Sequence, residues 1–76
     1  MNTITLDKLP LNSFGKVVTL NSKGAIYRRL LDLGMVPNTS VQAILQSPFG
    51  DPRAYSVRGS IIALREEDAK LIVCKY

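Results

Sequence analysis

Seventy-six residues with ten lysines and arginines against six acids carry a net charge of +4, and 46% of them are apolar. That size predicts one domain spanning 1–76, which buries roughly 60% of the surface its unfolded chain exposes. The apolar content excludes disorder, no apolar run reaches the ~18 residues of a membrane span, and a single cysteine excludes an internal disulfide.

The first segment, Met1–Pro10, has neither a basic stretch nor a continuous apolar run, so no signal peptide is expected. Thr5 is placed to cap a short turn over Leu6–Leu9 that Pro10 ends. After Gly15, the β-branched run Lys16–Leu20 predicts a first strand. Asn21 or Ser22 is the candidate N-cap of a helix of about ten residues. Ile26, Leu30 and Leu33 fall at i, i+4 and i+7, with Tyr27 and Leu31 one step round, while Arg28, Arg29 and Asp32 take the other side. Gly24 weakens the first turn by up to ~1 kcal/mol relative to alanine.

Gly34 stands where a helix wants a left-handed C′ residue. Pro37-Asn38 suits the two central positions of a turn, because proline fixes φ and asparagine tolerates positive φ. Ser40–Gln46 then reads as a strand, and Pro48-Phe49-Gly50-Asp51-Pro52 as an exposed loop tip, since two prolines and a glycine end any ladder. Ala54–Arg58 returns as a strand, Gly59-Ser60 turns, and Ile61–Arg65 runs onward. Glu66–Asp68 opens a short helical turn with acids at its positive end, and Leu71–Lys75 closes the chain as a fifth strand. Five short strands in so small a chain favour a closed or nearly closed antiparallel barrel, which removes exposed edges. Ile61-Ile62 and Leu71-Ile72-Val73 are apolar on both faces. Their second face therefore calls for cover by the Ile26–Leu33 helix or by a partner protein.

Catalytic chemistry is missing. Without histidine the usual triads and Cys-His pairs cannot form, and no phosphate-binding glycine motif is present. No imidazole or thiolate metal site can assemble either. Cys74 reads as a packed small hydrophobe, and the Glu66–Asp68 trio as a solvated helix start. The expectation is no catalytic residue, no cofactor and no resident metal.

A partner surface is easier to argue. The positive charge suits nucleic acid, an anionic membrane face or an acidic protein patch. The basic residues, however, are spread over positions 8 to 75, with Arg28-Arg29 the one adjacent pair and no aromatic stacking stripe. Nucleic acid is therefore not expected as a partner. Phe49 at a Pro/Gly loop tip reads either as an anchor for another protein or as a residue folded back onto the barrel. Tyr27 and Met35 flank the helix and either border a groove or pack inside. Arg53, beside the loop tip, is the best-placed candidate for an arginine supplied in trans to a GTPase; the alternative is an ordinary exposed arginine.

Taken in order, Leu6/Leu9, Arg28–Gly34, Met35–Thr39, Pro48–Pro52, Tyr55–Gly59, Ile62–Arg65 and Ile72–Cys74 resemble the pattern of the ferrous iron transport protein A (FeoA) family over nearly the whole chain. Asn38 stands where the pattern has glycine, and Cys74 follows the final valine. The resemblance implies a mainly β fold, an SH3-like five-stranded barrel with one inserted helix and short helical turns. It also implies a small cytoplasmic accessory of the membrane ferrous permease FeoB, which carries a GTP-binding domain, with no membrane insertion of its own. A similar module ends iron-dependent repressors, so a regulatory or peptide-binding role is the alternative.

Overall fold

Alternation decides which face of each strand is buried. In the computed structural model, which describes residues 2–76, Arg53, Tyr55 and Val57 are buried while Ala54 and Ser56 between them are half-exposed. Val41 and Ala43 obey the same period of two. The strands are β1 (Thr3–Thr5), β2 (Phe14–Leu20), β3 (Ser40–Gln46), β4 (Arg53–Val57), β5 (Ser60–Leu64) and β6 (Ile72–Lys75). A 3-10 turn covers Leu6–Lys8, and two helices, α1 (Gly24–Asp32) and α2 (Glu66–Ala69), complete the chain. The strands form one antiparallel sheet in the order β1-β6-β2-β3-β4-β5.

Six strands replace the five expected. Thr3, Ile4 and Thr5 pair with Lys75, Cys74 and Val73, so Thr5 belongs to a ladder and makes no side-chain cap to the turn that follows. The first long strand starts at Phe14 rather than Lys16, because Phe14 and Gly15 find partners in Gln42 and Val41. The β4–β5 connection shifts by one residue. Arg58 (φ 50) and Gly59 (φ 83) are its two turn residues, the type I′ pattern that matches strand twist. Helix α1 begins at Gly24, with the extended Lys23 at its N-cap and no side-chain cap. Asn21 instead extends the sheet, its N–H bonded to Leu71 O at 2.7 Å.

The other end of α1 follows the sequence closely. Gly34 has φ 94; its N–H reaches Leu31 O at 3.0 Å, and Met35 N–H reaches Leu30 O at 2.9 Å. Those two bonds make a Schellman stop, with the buried Met35 and Leu30 as its hydrophobic contact. Thr39 N–H then reaches Val36 O at 3.1 Å with Asn38 at φ 75, a type II turn around Pro37-Asn38.

Register shifts between Val17 and Thr19 and between Ala43 and Leu45 bend the sheet on itself. Among the described residues no ladder joins β1 to β5. The 3-10 turn takes that gap, sending Leu6 and Leu9 into a core shared with Val17, Leu30, Tyr55 and Ile72. The stripe of α1 joins the same core through Leu30, with Ile26 and Leu33 packed at its edge. It leaves the second face of β5 bare at Ile61, which is 72% exposed, and it leaves Leu71, just before β6, exposed as well.

Candidate functional site

The loop between β3 and β4 is tied before it reaches solvent. Gly50 N–H donates to Ser47 O at 2.8 Å, and Ser47 N–H to Pro52 O at 3.2 Å. The Ser47 hydroxyl donates to Asp51 O at 2.9 Å. The Asp51–Pro52 peptide bond is cis. Asp51 Oδ1 accepts from Glu66 N–H at 2.8 Å, which fastens the loop to the start of α2. From this frame Phe49 projects 95% exposed. Its ring does not fold back onto the barrel.

Beneath Phe49 lies a cleft of about 370 Å³ lined by Asp7, Lys8, Gln46, Asp51, Arg53 and Glu66, with Phe49 and Gly50 on its rim. Its floor is Arg53, only 9% exposed. Arg53 Nη1 donates to Asp7 O at 2.6 Å and Nη2 to Leu9 O at 2.7 Å. The guanidinium carbon sits 5.6 Å from the centre of the Tyr55 ring, a cation–π distance. Tyr55 reaches the same turn, its hydroxyl donating to Leu6 O at 3.3 Å. Burial pushes the Tyr55 phenol above its ordinary value against the pull of the Arg53 guanidinium. Arg53 Nε and Asp7 Oδ1 are buried here without a hydrogen-bond partner.

Four residues were expected at a partner surface, and the structure separates them. Phe49 and Arg53 share one cleft. Arg53 is inward, with both terminal guanidinium nitrogens on backbone carbonyls. Met35 is fully buried under the end of α1 and offers a partner nothing. Tyr27 is exposed on α1, away from the cleft lining. Asp7, Asp51 and Glu66 carry no local signal for the cleft, because contacts across 15 to 46 residues bring them to it. Among the described residues, no three of His, Cys, Asp and Glu are grouped to hold a metal ion.

Cys74 is fully buried beside Gly15. Its thiol lies 3.5 Å from Ile4 O, and burial pushes its pKa up. Among the described residues, no helix is long and apolar enough to cross a membrane.

The FeoA domain model matches residues 4–76. The chain belongs to the FeoA domain family. This is an accessory family of ferrous iron transport. Iron(II) transport protein A from Clostridium thermocellum is 25% identical over 95% of this FeoA domain and superposes with a TM-score of 0.88. The domain spans 44% of that protein's length. The zinc-complexed FeoA of Stenotrophomonas maltophilia, described as a procaryotic SH3 domain protein, is 33% identical, with 95% of this chain and 89% of that one covered and a TM-score of 0.84. A manganese-dependent transcriptional repressor shares the fold alone, at 12% identity and a TM-score of 0.83 over 96% of this chain and 41% of its own. No curated protein matches.

Proposed function

We propose that this FeoA domain is a non-enzymatic, cytoplasmic accessory that docks on the ferrous permease FeoB at the inner face of the membrane and modulates it by protein contact. One observation carries the reading: a fully presented aromatic, Phe49, on a loop already fastened by its own hydrogen bonds. A ring carried on a loop whose backbone is already fastened requires less ordering of the chain on binding, and aromatic residues are prominent among interface anchors. The cleft below it supplies polar groups for the segment that covers the ring. Arg53 is committed to Asp7 O and Leu9 O, so the reading needs no arginine inserted into the permease's GTP site.

The test is co-purification of Phe49→Ala with the permease. Docking weakens on the order of tenfold or more, as for an interface anchor, while the free domain's stability moves by no more than about 0.5 kcal/mol. Unchanged docking moves the contact away from this loop. Separate pull-downs on the permease's cytoplasmic domain and membrane core identify which of them is covered.

A further inference from the structure

Lys16 and Lys75, far apart in sequence, stand directly opposite each other on β2 and β6. Thr3 continues the row beyond Lys75, and Ser40 continues it beyond Lys16. Opposite residues share a face, and the neighbouring pair Val17 and Cys74 points into the core, so all four side chains point outward. All four are exposed. Phe14, two residues before Lys16 on the same face, is 63% exposed. Like charges facing each other across a ladder repel, and none of the six acids of the chain lies on a strand to offset them. The acids gather elsewhere. Asp7, Asp51 and Glu66 line the cleft with Gln46, and Glu67 joins Asp51 and Glu66 in the adjoining hollow. Ser40 and Gln46 are the two ends of β3, about 20 Å apart along the strand at ~3.3 Å per residue. That is more than twice the ~8 Å over which physiological salt screens a charge.

We infer that the Thr3–Lys75–Lys16–Ser40 row lies against the surface of an anionic lipid bilayer. The layout of charge favours an extended anionic plane as the occupant. Such a plane repels acids wherever it meets them, so it selects a face that carries cations and no acid. It also leaves the acidic cleft beyond the reach of its field. The flexible lysine stems let both ammonium groups reach headgroup phosphates, and Thr3 and Ser40 add hydroxyl donors. The Phe14 ring adds apolar area at headgroup depth. Lipid phosphates beside the two lysines offset the repulsion that the free domain carries. Two cations and one ring give weak, reversible adsorption without a membrane span. Phe49, on the rim of the acidic cleft, stays free for a protein partner.

Co-sedimentation of the full chain with phospholipid vesicles tests it. Binding is expected to vesicles of phosphatidylcholine mixed with phosphatidylglycerol, to fall with added salt, and to be absent for phosphatidylcholine alone. Lys16→Gln and Lys75→Gln each weaken it about fivefold, and the two together about twenty-five-fold. Neither lowers the thermal melt, because each removes a repulsion. Lys70→Gln, which takes the same charge from the acidic end, leaves binding unchanged. No binding, or equal binding to the two kinds of vesicle, overturns the proposal. So does an equal loss from Lys70→Gln, which assigns the effect to net charge alone. Binding to polyglutamate but not to the vesicles also overturns it and gives the row to an acidic protein. The vesicles hold no permease, so failure here is distinct from failure of docking through Phe49.

Discussion

Arg53 Nη2 lies 2.7 Å from the carbonyl oxygen of Leu9, a residue forty-four positions earlier. With Nη1 on Asp7 O at 2.6 Å, one guanidinium holds both sides of the 3-10 turn that fills the opening of the barrel. Charge-assisted bonds of this kind contribute about 1.5–3 kcal/mol each, and losing the donor leaves buried carbonyls unpaired. Arg53→Ala is therefore expected to cost about 3 kcal/mol in urea unfolding, a large part of the stability of so small a domain. Arg53→Lys recovers only part of it, because a single ammonium does not present the planar fork that reaches two carbonyls at once.

Local chemistry was readable from the chain; remote chemistry was not. Gly34, Pro37-Asn38 and the Pro48–Pro52 loop act through their own φ and their nearest neighbours. The helix stop, the turn at Pro37-Asn38 and the exposed loop tip follow accordingly, while the choice between a presented and a folded-back Phe49 is made only by the structure. Arg53 looked like a surface residue because its partners, Asp7 and Leu9, come from the other end of the chain. Thr3–Thr5 looked like the lead-in to a turn because its pairing strand is the last one in the sequence. Arg58 looked like strand because nothing local marks an arginine for positive φ; the two-residue hairpin imposes it.

Gly15 is needed for closeness rather than for its dihedral. A Cβ built there meets Cys74 Sγ at 2.9 Å and Leu9 Cδ1 at 3.4 Å, where β2 crosses β6. Gly15→Ala is expected to destabilise by about 1–3 kcal/mol through overpacking. Cys74→Ala introduced with it removes the clashing sulfur, so the double variant is more stable than the sum of the two single losses. A double-mutant cycle in urea reads this coupling directly. Strict additivity contradicts the contact.

Gly34 combines both demands. Its φ of 94 is costly for any residue with a Cβ, and the Arg58 stem lies where that Cβ would go. Gly34→Ala is expected to lose about 1–2 kcal/mol from the backbone alone. Gly34→Asn, which tolerates the left-handed region better, loses less. A ranking of Gly above Asn above Ala in thermal melts checks the Schellman stop; equal melting of all three contradicts it.

Alkaline pH should unfold the domain through two buried groups. Burial raises the Cys74 thiol above 9.0 and the Tyr55 phenol above 10.0 in the folded chain. The unfolded state therefore releases these protons first. Above pH 9 the folded state binds more protons, so stability falls as pH rises. The loss begins near pH 9 from Cys74, steepens near pH 10 as Tyr55 joins, and ends only above the raised folded values. Only about a unit or more below 9.0 does the Cys74 slope vanish, and Tyr55 contributes none there. Cys74→Ala is expected to delay the onset to about pH 10, Tyr55's ordinary value. Urea midpoints from pH 7 to 11 measure both onsets, and an unchanged onset in the variant assigns the first one to another group.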